Sequence, residues 1–264
     1  MPDSDHASSD TAAAPAVLTA RGLAKQFRGF RAVDGVDLSV AEGSVHALVG
    51  PNGAGKTTLF NLLSGFLAPS AGRIELAGRD ITGLPPERIA RLGMARSFQI
   101  TNLFPMLSAR EHIELALAGR AGQGWQFWRS DKLLGQHAER AAEHLASVGL
   151  EHAADTPADT LPYGQKRALE LALALALDPK VLLLDEPTAG MGAEDVDRTV
   201  ELIGKVRAGR TVVLVEHNMS VVASLANRVT VLQLGRVLIE GEYAEVRDDP
   251  QVIAAYLGEP HAAR

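Results

Sequence analysis

Apolar positions along this chain follow two periods. From Val17 to Val40 they mostly alternate with polar positions, and residues 36–40 (VDLSV) read as a strand. Residues 45–49 (VHALV) are a short, apolar, β-branched run between Gly43 and Gly50, the pattern of a buried strand. Residues 73–81 (RIELAGRDI) read as strand, turn, strand. Residues 181–185 (VLLLD) and 211–217 (TVVLVEH) are further buried strands, and residues 228–241 form a hairpin around Leu234, Gly235 and Arg236. Helical spacing follows Gly55 and recurs over Leu107–Leu117, over His137–Val148 with Gly149 as its stop, and over residues 193–208. Residues 169–178 (LELALALALD) alternate as a strand does. Leucine and alanine are strong helix formers and neither is β-branched, so composition predicts a helix there.

Buried strands alternating with helices predict an α/β fold around a parallel sheet, with an antiparallel β portion at the N-terminus. Residues about 100–160 carry helical patterns and no strong strand, so they are expected to be an inserted α-helical subdomain within a domain spanning 17–258. Residues 1–16 are acidic and rich in small side chains, without the basic and apolar regions of a signal peptide; they predict a disordered tail. Residues 259–264 are expected to form a C-terminal tail.

Composition adds bounds. The 264 residues are 46% hydrophobic and 22% charged, ordinary for a soluble globular protein. The net charge of −6 counts against broad nucleic-acid binding. With no cysteine there is no disulfide framework and no thiolate metal site. No run approaches the roughly 18 apolar residues of a membrane span. The expected location is therefore cytoplasmic, which leaves open binding to a membrane protein.

The chemistry begins at residues 50–57 (GPNGAGKT), which match G-x-x-x-x-G-K-[ST]. Glycines let the backbone fold round an anion so that successive N–H groups point inward, and the following helix adds its N-terminal donors. Gly50, Pro51, Asn52, Gly53, Ala54, Gly55, Lys56, Thr57 and Thr58 are the expected phosphate-binding residues. Lys56 would bring charge to the outer phosphates and Thr57 a hydroxyl to Mg²⁺. Residues 181–186 (VLLLDE) supply two acids at the end of a buried strand. Asp185 would coordinate Mg²⁺, directly or through water, and Glu186 would polarise the attacking water.

In this order the motifs resemble the ATP-binding cassette family over roughly residues 17–258. Gln99, in ARSFQITNLF, matches the family's glutamine loop, and LPYGQ at 161–165 its signature. His217, in LVEHNMS, matches the switch histidine, and Phe27, in LAKQFRGF, the aromatic that stacks on adenine. The resemblance implies an ATPase using ATP and Mg²⁺, with Glu186, His217 and Gln99 catalytic and Thr57, Gln99 and Asp185 at the metal. It also implies that Tyr163, Gly164 and Gln165 act in trans, on ATP held by a second subunit packed head to tail. Two departures stand out. Pro162 and Tyr163 replace the common serine and glycine, and Pro162 brings neither a hydroxyl nor an N–H to the γ-phosphate. Gly192 stands where an aspartate is common, so the loop after Glu186 receives no role.

Within the family, Tyr163 before Gly164–Gln165, AGMG at 189–192, VEHNM and DPQVIAAYLGE at 249–259 resemble the ATPases of branched-chain amino acid importers. The expected partners are transmembrane permease subunits and a second ATPase subunit, identical or paralogous, with no nucleic acid. The expected place is peripheral, at the cytoplasmic face of the cell membrane. The alternatives are a soluble cassette ATPase outside transport and an importer ATPase for another small polar solute. A single cassette without sustained heptads counts against the first. Lys56, Asp185, Glu186 and His217 are all present, which counts against a degenerate regulator. Trp125, Phe127 and Trp128, in WQFW, either pack locally or face a membrane partner.

Overall fold

The computed structural model describes residues 15–97, 103–122 and 137–257. β1 (Ala16–Phe27) pairs antiparallel with β2 (Phe30–Ala41) on one side and with β4 (Ala71–Leu76) on the other; β4 in turn pairs with β5 (Arg79–Asp80). The second sheet contains β3 (Val45–Val49), β6 (Met94–Arg96), β7 (Val181–Asp185), β8 (Thr211–Val215), β9 (Arg228–Gln233) and β10 (Arg236–Gly241). Its order is β10-β9-β3-β8-β7-β6; every neighbouring pair is parallel except the β9–β10 hairpin. The α/β architecture with an antiparallel β portion is thus the one the patterns predict.

The central strands are buried on both faces, yet their side chains still sort by twos. Val181 and Leu183 of β7, with Val213 and Val215 of β8, face the cluster shared with the antiparallel sheet and α1 (Lys56–Leu63). Leu182, Leu184, Val212 and Leu214 face the helical side. That side holds α3 (Ala109–Arg120), α4 (Ala138–Ser147), α5 (Tyr163–Ala176) and α6 (Ala193–Val206). The leucine–alanine run lies within α5, as composition predicts: Leu169, Ala172, Leu175 and Ala176 are buried at helical spacing, whereas Leu173 is only half-buried. α3 starts two residues later than its apolar pattern because Ser108 caps it. The Ser108 hydroxyl accepts from Glu111 N at 3.2 Å, and Glu111 Oε2 accepts from Ser108 N at 2.7 Å.

Other expectations change. β1 begins at Ala16, inside the stretch read as a tail. Pairing overrides the small-residue composition there: Ala16 sits opposite Ala41, and Pro15 O accepts from Glu42 N at 2.9 Å. The strand read over 211–217 stops at Val215, because the next two N–H groups after Glu216 turn back onto its carboxylate. α2 (Pro86–Arg91), β6, α7 (Met219–Leu225), α8 (Tyr243–Arg247) and α9 (Pro250–Leu257) are elements that the patterns did not reveal. Residues 1–14 and 259–264, Gln99, and the WQFW cluster lie outside the described residues.

β8 lies between β3 and β7, with Val215 opposite both Leu48 and Asp185. Gly50, Glu186 and Glu216 therefore leave the sheet along one edge, at the carboxyl ends of parallel strands, where open α/β sheets place their ligands.

Candidate active site

The loop from Gly50 to Gly55 is shaped by steric need. Gly50 has φ 147°, and a Cβ there would lie 2.2 Å from Leu232 O. Gly55, the residue before α1, has φ 100°, and its Cβ would lie 2.4 Å from Ala32 O. Both are left-handed positions pressed against backbone, so glycine is required twice over. Lys56 opens α1 and curls over the loop, donating to Gly50 O at 2.6 Å and Pro51 O at 3.1 Å. Burial lowers its pKa, and the Glu186 carboxylate opposes that shift. The acid is thus near enough to be felt at the phosphate lysine. Pro51, Asn52, Gly53 and Ala54 complete the loop, and Thr57 and Thr58 occupy the first turn of α1, with Thr57 exposed.

Asp185 ends β7 and is 1% exposed. Its Oδ2 accepts from Arg96 at 2.6 Å; its Oδ1 is buried without a hydrogen-bond partner among the described residues. A buried carboxylate oxygen left without a donor suits a hard cation. The described residues contain no cluster of three or more acids, histidines or cysteines able to cage a metal by themselves. That donor set fits Mg²⁺, which is commonly held by one or two protein oxygens together with substrate phosphates. Arg96 is locked in place by Asn61 Oδ1 at 2.6 Å and Ser64 Oγ at 3.0 Å, and its guanidinium lies 4.9 Å from the Phe60 ring centre. Glu186 follows with φ 45°, left-handed for a non-glycine residue, a conformation costing about 1–3 kcal/mol. Its N–H donates to Val215 O at 2.9 Å, which sets the carboxylate off the strand edge.

His217 is exposed, two residues past β8, the strand beside β7, after which Glu186 follows. Phe27 ends β1 with 42% of its surface exposed, and Lys25 Nζ lies 5.2 Å from its ring centre. Such a ring, open on the surface beside a cation, can stack on a purine. Ser97 N donates to Leu183 O at 2.9 Å, so the chain enters the undescribed stretch containing Gln99 alongside the acidic strand.

The signature stretch starts α5. Pro162 is the N-cap, and Pro162 O accepts from Lys166 N at 3.0 Å. The preceding N–H groups, of Tyr163, Gly164 and Gln165, are first-turn donors with no acceptor inside the helix. They border an open cleft of about 850 Å³ shared with Asp195 and Arg198 of α6. Because Pro162 sits at the cap, its missing N–H leaves those three donors intact.

Sequence reasoning passed over several residues here. Arg96 and Glu216 were assigned no role from the sequence, and the loop from Pro187 to Gly192 had none either. The one available signal for Glu216 was its place directly after a buried strand, as with Glu186. Tyr256 of α9 was read only as part of a subfamily tail. Burial raises its pKa, and a backbone hydrogen bond from Gly50 opposes that shift, so the tail's tyrosine reaches the phosphate loop.

Comparisons with known proteins agree on one family. A family model described as ABC transporter matches residues 33–189, and one described as branched-chain amino acid ATP-binding cassette transporter matches residues 236–262. The chain is 41% identical over 253 residues to the high-affinity branched-chain amino acid transport ATP-binding protein BraF of Pseudomonas aeruginosa, covering 92% of this chain and 98% of that protein. It is 36% identical, with the same coverage, to LivG of Escherichia coli, described in the same words. A crystal structure of a nucleotide-free ATP-binding cassette from an ABC transporter superposes with TM-score 0.82 at 28% identity, over 92% of this chain and 100% of that one. A dimeric cassette in a post-hydrolysis state with ADP and Pi superposes with TM-score 0.73 at 26% identity, over 86% and 98%.

Proposed function

Because the chain belongs to the ATP-binding cassette family of transporter ATPases, we propose that it is the ATP-hydrolysing subunit of a branched-chain amino acid importer. One observation carries the catalytic reading: the β3-β8-β7 register delivers Lys56, Glu186 and His217 to one edge of the sheet. The substrate class rests on the relatives named above and on the match over residues 236–262.

In this reading Phe27 stacks on adenine, and the Gly50–Thr58 loop cradles the phosphates with its N–H groups. Lys56 leaves its two carbonyls to hold the outer phosphate oxygens. Thr57 and Asp185 Oδ1 would hold Mg²⁺, to which Gln99 would add a contact, and the ion would neutralise charge on the phosphates. Glu186 takes a proton from the attacking water, and His217 donates toward the γ-phosphate. The first-turn N–H groups of Tyr163, Gly164 and Gln165 close on ATP held by a second subunit, identical or paralogous.

No described helix is long and apolar enough to cross a membrane. In this reading the chain works at the cytoplasmic face of the membrane, bound to permease subunits. Docking uses the helical region that follows Gln99, where Phe104 and Met106 are exposed. The test is deletion of the gene, without a redundant importer, followed by uptake of labelled leucine, isoleucine and valine. Loss of uptake is expected. Normal uptake of all three would reject the substrate, and failure to co-purify with any membrane protein in mild detergent would reject the transport role.

A further inference from the structure

Glu216 is 0% exposed at the end of β8, one residue before His217. Its two oxygens meet four donors. Oε1 accepts from Thr188 N at 3.1 Å and from Thr188 Oγ1 at 2.5 Å. Oε2 accepts from His217 N at 3.0 Å and Asn218 N at 3.2 Å. Three of the four are backbone N–H groups, which can only donate, so the side chain at 216 must accept at both oxygens.

The contacts continue past Thr188. Ala189 N donates to Glu186 O at 3.1 Å, so the turn that Glu216 grips also carries the acid. Ala189 O accepts from the Tyr163 hydroxyl at 3.0 Å. The Tyr163 oxygen accepts from Arg167 Nε and Nη2 at 3.2 and 3.1 Å. A hydrogen-bonded line thus runs from the first turn of α5, through the turn after Glu186, to the backbone of His217.

We infer that Glu216 is a positioning residue that couples the signature end of α5 to the switch histidine within one subunit. When α5 engages a phosphate of the opposite subunit, Tyr163 moves with it. The turn at Thr188–Ala189 follows and shifts Glu186 through Ala189 N, and Glu216 passes the shift to His217. This gives the loop between Glu186 and Gly192 a function without an aspartate at Gly192. The inference rests on the proposed role of His217.

Glutamine at 216 keeps size and shape but replaces one oxygen with an NH₂. Either orientation fails: the NH₂ meets the Thr188 N–H on one side, or the His217 and Asn218 N–H groups on the other. With the purified full-length chain, Glu216→Gln is expected to lower kcat about 10–100-fold, the loss of hydrogen bonds to a charged group, with affinity for a fluorescent ATP analogue within about twofold of normal. Thr188→Ser keeps both donors and is expected to keep the normal rate. Tyr163→Phe, at an exposed position, is expected to lower kcat by a few-fold, about one neutral hydrogen bond, and to add nothing to Glu216→Gln. A normal kcat in Glu216→Gln overturns the inference, as does a double variant whose losses multiply. Should Glu216→Gln lower the melting temperature, Tyr163→Phe decides: an unchanged kcat overturns the coupling. His217→Ala is the reference. If it is inactive while Glu216→Gln is normal, only the coupling fails; if it is fully active, the role of His217 fails too and takes the coupling with it.

Discussion

The two regions proposed to bind phosphate are built in opposite ways. The Gly50–Thr58 loop is closed on itself, with Lys56 buried over its own carbonyls and two glycines wedged against neighbouring backbone. The first turn of α5 is open: Tyr163 is exposed, no side chain caps the helix, and the N–H donors face a wide cleft. On the proposed reading the first region is a cradle that one chain supplies and the second is half of a site: it offers donors and a helix dipole to a phosphate that another subunit would bring.

The largest expected effect breaks the chemistry while sparing both ends. Glu186→Gln retains shape but cannot accept the water's proton, so kcat should fall by about 10²–10⁴-fold. ATP binding should persist, and size-exclusion chromatography with ATP should show a stable dimer. Next, Gly164→Asp puts a carboxylate in the open donor turn, on a Cβ that would lie 3.4 Å from Asp195 Oδ1. Like charges facing one another cost several kcal/mol, so hydrolysis should fall about 100-fold, with nucleotide affinity of the separate subunit unchanged. Lys56→Ala does the converse. Losing charged hydrogen bonds of about 1.5–3 kcal/mol should weaken ATP binding roughly 10–100-fold in a direct titration.

Those two variants together give the sharpest form of the comparison. Mixed in one homodimer, Lys56→Ala and Gly164→Asp chains leave one hybrid site whole: the loop of one and the signature of the other. Recovery of ATPase on mixing is the expected result, and no recovery would place both regions in a single-chain site or exclude the homodimer.

The smallest effect on turnover concerns the floor under the closed loop. His46 on β3 is buried, bonded through Nε2 to Thr230 Oγ1 at 2.7 Å, and desolvation pushes its pKa down to about 4. The unfolded chain, with a histidine near its usual 6.5, binds more protons between those values. Stability should therefore fall as pH drops from 6.5 towards 4, by roughly 3 kcal/mol at most, and recover above 6.5. Melting temperatures across this range check it, and His46→Gln should flatten the dependence. The signature end, which is exposed, should show no matching change.

Much of the site was legible before any coordinates. Gly50, Gly55, Lys56 and Thr57 obey a spacing dictated by phosphate geometry, and strand and helix patterns flanked them in the required order. α5 was legible because leucine and alanine outweigh an alternating pattern. Glu216 was not, because its meaning depends on Thr188, 28 residues earlier in the chain. Arg96 was hidden for the same reason: Asn61 and Ser64 at the end of α1 and Asp185 at the end of β7 converge on it from distant parts of the chain.

By itself, then, the sequence determined what local chemistry can determine: a phosphate loop, two acids after an apolar run, the period of each element, and the donors at the head of α5. Those depend on neighbours within a few residues and on backbone sterics. Only the tertiary structure decided which of these meet. Parallel pairing of β8 between β3 and β7 joins segments more than a hundred residues apart, and long-range hydrogen bonds to Glu216 and Arg96 then fix their relative positions. Side-chain partners of that kind are set by packing across the sheet edge, which no local pattern encodes.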